Sequence, residues 1–294
     1  MSPASRWSGS LQSKTSATGP ESPPPRVGAV RGWGATAVAV LLVVLPGCAA
    51  DPAAPAGPGL GPLPAGAVVD YQLGGAYPPA DGVAGVVRDR TDSPAADLWS
   101  ACYVNAFQTQ PGARWPEDLL LHDASGARVE DPDWPGEFLL DVSTAERREA
   151  VLAVVGPWFD GCADAGFDAV EPDNLDSWTR SEGLLTADDA AATARLLVAR
   201  AHDAGLDVAQ KNAPELTGED LGFDYAVAED CQLFEECTAY TDAYGGAVLE
   251  VEYTDEGFEE ACRLRGSTVS VVRRDLGVAR PDDPGYVAAW CPER

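Results

Sequence analysis

From residue 68 onward the sequence repeats one unit: a short, nearly continuous apolar run, then a segment with helix signals, then another run. Nine such runs can be read, at Val68–Gln72, Gly85–Arg88, Leu98–Val104, Glu137–Val142, Phe167–Glu171, Leu206–Lys211, Phe223–Glu229, Ala247–Tyr253 and Ser267–Arg273. Two of the intervening helices are sharply punctuated. Thr144 opens one that runs to about Ala165 and stops at Gly166, and Thr186 opens another that reaches about Ala204 before Gly205. Thr accepts a hydrogen bond from an otherwise unpaired first-turn amide, and Gly takes the left-handed conformation that ends a helix. Continuous rather than alternating apolar strands, separated by helices, mean a parallel sheet covered on both faces. The spacing predicts a (β/α)8 TIM-like barrel, with an open doubly wound sheet as the alternative. The first two runs are close together for a parallel crossover. Val68–Gln72 is therefore expected as an extra N-terminal leading strand, with the barrel starting at Gly85.

The N-terminal part carries a different signal. Arg26 and Arg31 precede the apolar stretch Ala35–Leu45, which is too short to span a bilayer but suits the core of an export signal. It ends in Leu45-Pro46-Gly47-Cys48, similar to a bacterial lipobox, so residues 1–47 are expected to be a lipoprotein signal peptide and Cys48 the lipid-bearing residue. An ordinary secreted protein and an uncleaved anchor are the alternatives. Residues 48–66 form an Ala/Pro/Gly-rich tether, and the folded domain is expected over 67–294. With Cys48 set aside, six cysteines remain, an even number that suggests three disulfides in an exported chain. Cys231 and Cys237 are close enough to staple one loop.

Formal charge is −27, and removing the leader's net +3 leaves −30. Such a surface disfavours nucleic acid and anionic membrane surfaces as partners and favours cationic ligands, ions or plain solubility. The only expected membrane contact is the lipid anchor. After the leader, Lys211 is the one lysine in the chain.

Chemistry is narrowed by elimination. Two histidines, His122 and His202, are too few for a Ser-His-Asp triad or a multi-histidine metal site. No Gly-rich phosphate-binding turn follows a strand, so neither nucleotide nor other cofactor is expected, and no metal. Carboxylates remain. Functional groups of a barrel sit at the C-terminal ends of its strands, where the runs place Asp141, Glu171, Asp173, Asn174, Lys211, Asn212, Glu229, Asp230, Glu252 and Tyr253. Each acid alone is also explained as a loop carboxylate or helix cap; the recurrence across strands is what favours a site. Asp168 and Asp224 lie at strand beginnings and read as structural. Two carboxyl groups across a cleft are the minimum for hydrolysing a glycosidic bond, and Tyr71, Tyr103, Trp178 and Tyr253 are candidate sugar-stacking rings.

The ordered segments DYQL, WPGEFLLDV, FDAVEPDNLD, GLDVAQKN, FDYAVAEDCQLFEEC and AVLEVEY closely resemble glycoside hydrolase family 114, the endo-α-1,4-polygalactosaminidases and their relatives. The resemblance covers about residues 68–254. It implies endo-hydrolysis of α-1,4-linked galactosamine polymer by a carboxylate pair, Asp173 as nucleophile and Glu229 as general acid/base. It further implies that Asp70, Tyr103, Asp141, Glu171, Asn174, Lys211, Asn212, Glu252 and Tyr253 line the substrate cleft. The chain departs from the family's pattern at Tyr103–Gln108, which lacks a glycine, and at Asp230, where Gln is common. Two rival readings stay open: a non-catalytic glycan-binding lipoprotein, and a calcium-stabilised protein with Asp173, Asn174 and Asp176 as ligands.

Overall fold

The structure is a computed structural model that describes residues 62–292. The expected signal peptide, Cys48 and most of the tether lie outside the described residues. Within them, eight strands run parallel in chain order: β1 (Val69–Gln72), β2 (Gly85–Asp89), β3 (Trp99–Asn105), β4 (Ala169–Asp173), β5 (Asp207–Lys211), β6 (Tyr225–Glu229), β7 (Val248–Glu252) and β8 (Ser270–Arg274). A ninth, β9 (Ala288–Trp290), pairs antiparallel with β8. The Trp290 indole donates to the Val69 carbonyl (2.7 Å), tying the last strand to the first. The expected TIM-like barrel is thus present.

Two strand runs behave differently from the sequence reading. Val68–Gln72 leads the sheet as expected, but it pairs in parallel with β2 and serves as the first barrel strand. Glu137–Val142 is not in the barrel sheet. It belongs to an excursion, residues 106–143, held by isolated antiparallel bridges such as Gln108 with Leu139 and Glu130 with Phe138. These two differences cancel, so FDAVEPDN is the fourth barrel strand and FDYAVAE the sixth whether the count starts at Gly85 with Glu137–Val142 included or at Val69 without it.

The helices are α1 (Ala145–Ala165), α2 (Ala187–Asp203), α3 (Cys231–Phe234), α4 (Cys237–Tyr244) and α5 (Asp255–Arg265). The Thr144 hydroxyl accepts from the Arg147 amide, and Gly166, at φ 92°, ends α1 as its sequence demanded. Thr186 and Asp189 close a reciprocal capping box on α2. No helix bridges β1 to β2 or β2 to β3; helices cover the β3–β8 side.

Strand alternation divides the core into two layers. Val69, Tyr71, Val87, Trp99, Ala101, Ala169, Ala209, Tyr225, Val227, Leu249, Val251 and Val272 fill the barrel interior. Near its base Trp99 and Tyr225 meet edge to face, ring centroids 5.6 Å apart, an arrangement that contributes roughly 0.5–1.5 kcal/mol beyond burial alone. Outward residues such as Val104, Val170 and Val208 pack under α1 and α2. Asp168 and Asp224, expected to be structural, accept from the Ser100 and Val208 amides (2.9 Å each), bracing neighbouring strands at their starts.

Three disulfides pair all six cysteines of the domain: Cys102–Cys162, Cys231–Cys237 and Cys262–Cys291. The loop staple expected at Cys231 and Cys237 is among them. Cys102–Cys162 pins β3 to α1 and closes a loop of 60 residues that contains the whole excursion. A cross-link of that span restricts the unfolded chain, so the Cys102→Ala/Cys162→Ala double variant should lose about 2–4 kcal/mol of stability. Urea unfolding of the oxidised wild type and the double variant measures this directly.

Candidate active site

Three adjacent strands end in a charged side chain that points into the barrel. Asp173 closes β4, Lys211 closes β5 and Glu229 closes β6. Alternation puts each on the same side as the interior residues Ala169, Ala209 and Val227. One layer below, Glu171 on β4 and Tyr71 on β1 share that side.

Lys211 is the hub. Its Nζ lies 2.9 Å from Glu171 Oε1, 3.0 Å from Asp173 Oδ1 and 3.4 Å from Glu229 Oε2, and it donates to the Tyr71 hydroxyl at 3.1 Å. The side chain is only 2% exposed and Glu171 is fully buried, whereas Asp173 and Glu229 keep 15% and 25% of their side-chain surface. Solvent therefore reaches the two strand-end carboxylates and not the hub beneath them.

Each of the three carboxylates also has its own tyrosine. Tyr71 donates to Glu171 Oε1, Tyr103 to Asp173 Oδ2 and Tyr253 to Glu229 Oε1, all at 2.5 Å. Side-chain amides complete the shell. Asn212 donates to Glu229 Oε2 (3.1 Å) while accepting from the Glu229 amide (2.9 Å), and Asn174 donates to Asp173 Oδ2 (3.3 Å) and to Asn105 Oδ1 (2.9 Å).

The turn after each of these strands is left-handed without glycine. Asn174 (φ 66°), Asn212 (φ 50°) and Asp230 (φ 48°) follow Asp173, Lys211 and Glu229 directly. Short Asn and Asp side chains tolerate this conformation and bond locally. Asp230 accepts from the Tyr253 amide (2.8 Å), so all three turns are locked by their own side chains.

Electrostatics separates the acids. Burial alone would push the Asp173 carboxyl up, but the Lys211 ammonium and the hydrogen bonds from Tyr103 and Lys211 outweigh it and hold the group below the usual carboxylate range. At Glu171 burial wins over Lys211, and the carboxyl is raised. Burial would lower the Lys211 ammonium, yet Asp173, Glu171 and Glu229 around it raise it well above the ordinary lysine range. It is a permanent cation.

The structure brings together seven of the residues expected from sequence: Tyr103, Glu171, Asp173, Asn174, Lys211, Asn212 and Glu229, with Tyr253 as an eighth against Glu229. Three others go elsewhere. Asp70 faces away from Tyr71 on β1, is fully buried, and accepts from Gln72 Nε2 and Tyr77 Oη (2.8 Å each), with Arg274 3.8 Å away. Glu252 is likewise fully buried on the outward side of β7, where burial pushes its carboxyl up to about 8. Asp141 lies in the excursion, turned onto the Ser143 amide (3.1 Å) and 3.5 Å from Arg147 at the start of α1. Lys211 and Glu171 are present, but buried contacts occupy the ammonium and seal the carboxyl, so neither is free to meet a substrate.

Residues that sequence reasoning passed over form a second network beside Asp173. Arg180 pairs with Asp131 (2.8 Å) and Asp176 (3.0 Å) and donates to Asn174 Oδ1 (3.0 Å). Gln108 and Asn105 donate to Glu137 Oε2 (2.7 and 3.2 Å). The Arg180 guanidinium occupies Asn174 and Asp176, two of the three oxygens proposed as calcium ligands, and Lys211 occupies the third. Among the described residues the one group with metal-compatible spacing is Cys231, Cys237, Glu250 and Glu252, whose sulfurs are bonded to each other.

Paired carboxylates at a barrel mouth, one held ionised and both reached by solvent, are the equipment of a glycoside hydrolase. The model for glycoside-hydrolase family GH114 matches residues 50–294, and the chain belongs to that family. No curated protein matches it. Among solved structures it is similar to Ega3 of Aspergillus fumigatus in complex with galactosamine, at 22% identity over 78% of this chain and 96% of that one, TM-score 0.64. It is also similar to the glycoside hydrolase domain of PelA from Pseudomonas aeruginosa, at 15% identity over 75% and 97%, TM-score 0.50. At these identities the likeness shows a shared fold.

Removing the hub charge should be costly. Lys211→Met leaves the buried Glu171 and the partly exposed Asp173 beside no cation, a change expected to destabilise by about 3–5 kcal/mol at neutral pH. In the wild type the depressed Asp173 value contributes stability that is present above the unfolded value of about 3.9 and lost as pH falls through the folded one. In the variant that contribution is gone, so the deficit should be largest near neutrality and shrink in acid as the carboxyls protonate. Chemical denaturation of both proteins at several pH values tests this, and a pH-independent deficit would contradict it.

Proposed function

We propose that the chain is an endo-acting glycosidase that cleaves α-1,4-linked galactosamine-containing polysaccharide, with Asp173 as nucleophile and Glu229 as general acid/base. The observation that carries this reading is the shared Lys211 contact. One ammonium nitrogen lies 3.0 Å from an Asp173 oxygen and 3.4 Å from a Glu229 oxygen, so the two carboxyls face the same point of the barrel mouth. Retaining glycosidases place the pair about 5–5.5 Å apart and inverting ones about 6.5–9.5 Å. The proposal takes the retaining course, in which one of the two carboxylates is the nucleophile.

Asp173 is the natural nucleophile because its carboxyl is kept ionised. In the first step Glu229 protonates the glycosidic oxygen while Asp173 attacks the anomeric carbon, releasing one end of the polymer and leaving a glycosyl ester on Asp173. In the second, Glu229, now ionised, takes a proton from water, which attacks the same carbon and frees Asp173. Both steps run on side chains alone. Tyr253 and Asn212 orient Glu229, and Tyr103 orients Asp173.

Substrate class rests on three supports: family membership, the galactosamine bound in the similar Ega3 structure, and a formal charge of −27, which would concentrate a polycation near the domain. The alternative, a glycan-binding protein without turnover, is less favoured because both carboxylates are intact and solvent-reached. Surface tethering through a lipid on Cys48, after export and removal of residues 1–47, belongs to the same proposal. No helix of the described residues is long and apolar enough to cross a membrane.

Incubation with partially deacetylated polygalactosamine, followed by an assay for new reducing ends, tests the assignment. Asp173→Asn and Glu229→Gln should each lower turnover by roughly 100- to 10,000-fold. Equal product from the wild type and both variants would remove the catalytic assignment, and binding without product from the wild type would favour the alternative.

A further inference from the structure

Glu137 is a carboxyl with a prepared position and, among the described residues, no cation. It sits in the excursion between β3 and α1, half-buried, its amide donating to the Trp134 carbonyl (3.1 Å). Gln108 Nε2 and Asn105 Nδ2 both donate to its Oε2, at 2.7 and 3.2 Å. The other oxygen, Oε1, accepts from no described residue and is not sealed from solvent. The Arg180 guanidinium, which touches Gln108 Oε1 at 3.4 Å, is engaged by Asp131, Asp176 and Asn174 rather than by Glu137.

The position is tied to Asp173 through two amides. Asn105 stands opposite Asp173 in the β3–β4 register. Its Oδ1 accepts from Asn174 Nδ2, which also donates to Asp173 Oδ2. A group held by Asn105 on one side and open on the other therefore borders the sugar whose anomeric carbon Asp173 attacks. In a 2-amino-2-deoxy sugar the carbon next to the anomeric centre carries the amine.

We propose that Glu137 reads the C2 ammonium of the sugar in the bond-breaking subsite and so selects free amino sugars over their N-acetylated or neutral counterparts. This deepens the functional proposal and rests on its placement of Asp173. The chemistry gives the contact a purpose beyond binding. The transition state is oxocarbenium-like, with positive charge growing beside a fixed ammonium, and a carboxylate against that ammonium offsets the repulsion. The electrostatics of the position agrees. Burial pushes the Glu137 carboxyl up to about 7, with Asp173 and Asp131 adding to the rise and Gln108 and Asn105 opposing it. An arriving cation would draw it back to the ionised form.

The test compares the full chain with Glu137→Gln and Glu137→Asp on deacetylated and N-acetylated polygalactosamine, reading kcat/KM from reducing ends across the neutral pH range. Glu137→Gln should lose roughly 10- to 100-fold on the free-amine polymer, as expected when a hydrogen bond between charged groups is removed, and nothing on the acetylated one. Glu137→Asp should recover part of the loss. The wild-type profile on free-amine polymer should carry an acidic step near pH 7 that the Gln variant lacks, a change that a merely structural role would not produce.

Calorimetric titration with galactosamine and galactose, in wild type and Glu137→Gln, separates this inference from the one beneath it. Product without Glu137-dependent discrimination overturns the inference alone. A Glu137-dependent preference for galactosamine without product overturns the hydrolase reading and leaves the inference standing. Equal losses on both polymers would make Glu137 only a support for Asn105 and overturn it.

Discussion

One ammonium in the barrel makes the rest of the site affordable. Three carboxyl groups within reach of one point and largely out of water would repel each other and each lack solvation, and neither problem is relieved by packing. Lys211 answers both at once, and a guanidinium would not do so in the same space, because its planar fork needs partners spread in one plane. The carboxylates here arrive from two layers of β4 and from the end of β6, with the Tyr71 hydroxyl as a fourth neighbour. The compact, three-donor ammonium fits them. That a chain otherwise committed to arginine for positive charge keeps its one post-leader lysine here follows from geometry.

The tyrosines extend the same logic. Each hydroxyl gives its carboxylate a short hydrogen bond without adding charge, so the mouth remains net negative around a single cation. Burial and the adjacent carboxylates raise the Tyr71, Tyr103 and Tyr253 hydroxyls well above the ordinary tyrosine range, which keeps them protonated and donating. These rings were read from sequence as sugar platforms. Tyr71 is instead fully buried, and its work is done beneath the cleft.

Much of the fold was legible because parallel strands and capped helices leave strong local marks. The limits of α1 and α2 follow from Thr144, Gly166 and Thr186, and Asp173, Lys211 and Glu229 from their place at strand ends. Strand parity marks the inward side chains as well. In LEVEY the interior residues Leu249 and Val251 fix Tyr253 inward and Glu252 outward, a distinction already available from alternation. Asp70 beside Tyr71 is the same case. The excursion was not legible in this way. Its residues pair through isolated bridges rather than a regular ladder, so Glu137 looked like a strand start and Gln108 had no period to mark it; Asn105 closes β3 one residue past the apolar run, and Arg180 lies in the turn after β4. Their convergence depends on long-range closure, part of which the Cys102–Cys162 bond enforces.

The left-handed residues after β4, β5 and β6 impose a narrow rule on how this protein can vary. Glycine at Asn174, Asn212 or Asp230 would suit the backbone but delete the hydrogen bond that aims the neighbouring group. Gln or Glu would offer a similar head group from a backbone that resists positive φ. At Asn174 and Asn212, whose amides donate to the Asp173 and Glu229 carboxylates, only Asn meets both demands; at Asp230, which accepts from the Tyr253 amide, Asn and Asp both do. Drift at these three positions is thus confined to Asp230, where an exchange of carboxylate for amide changes the local charge by one unit while leaving the chain's path intact.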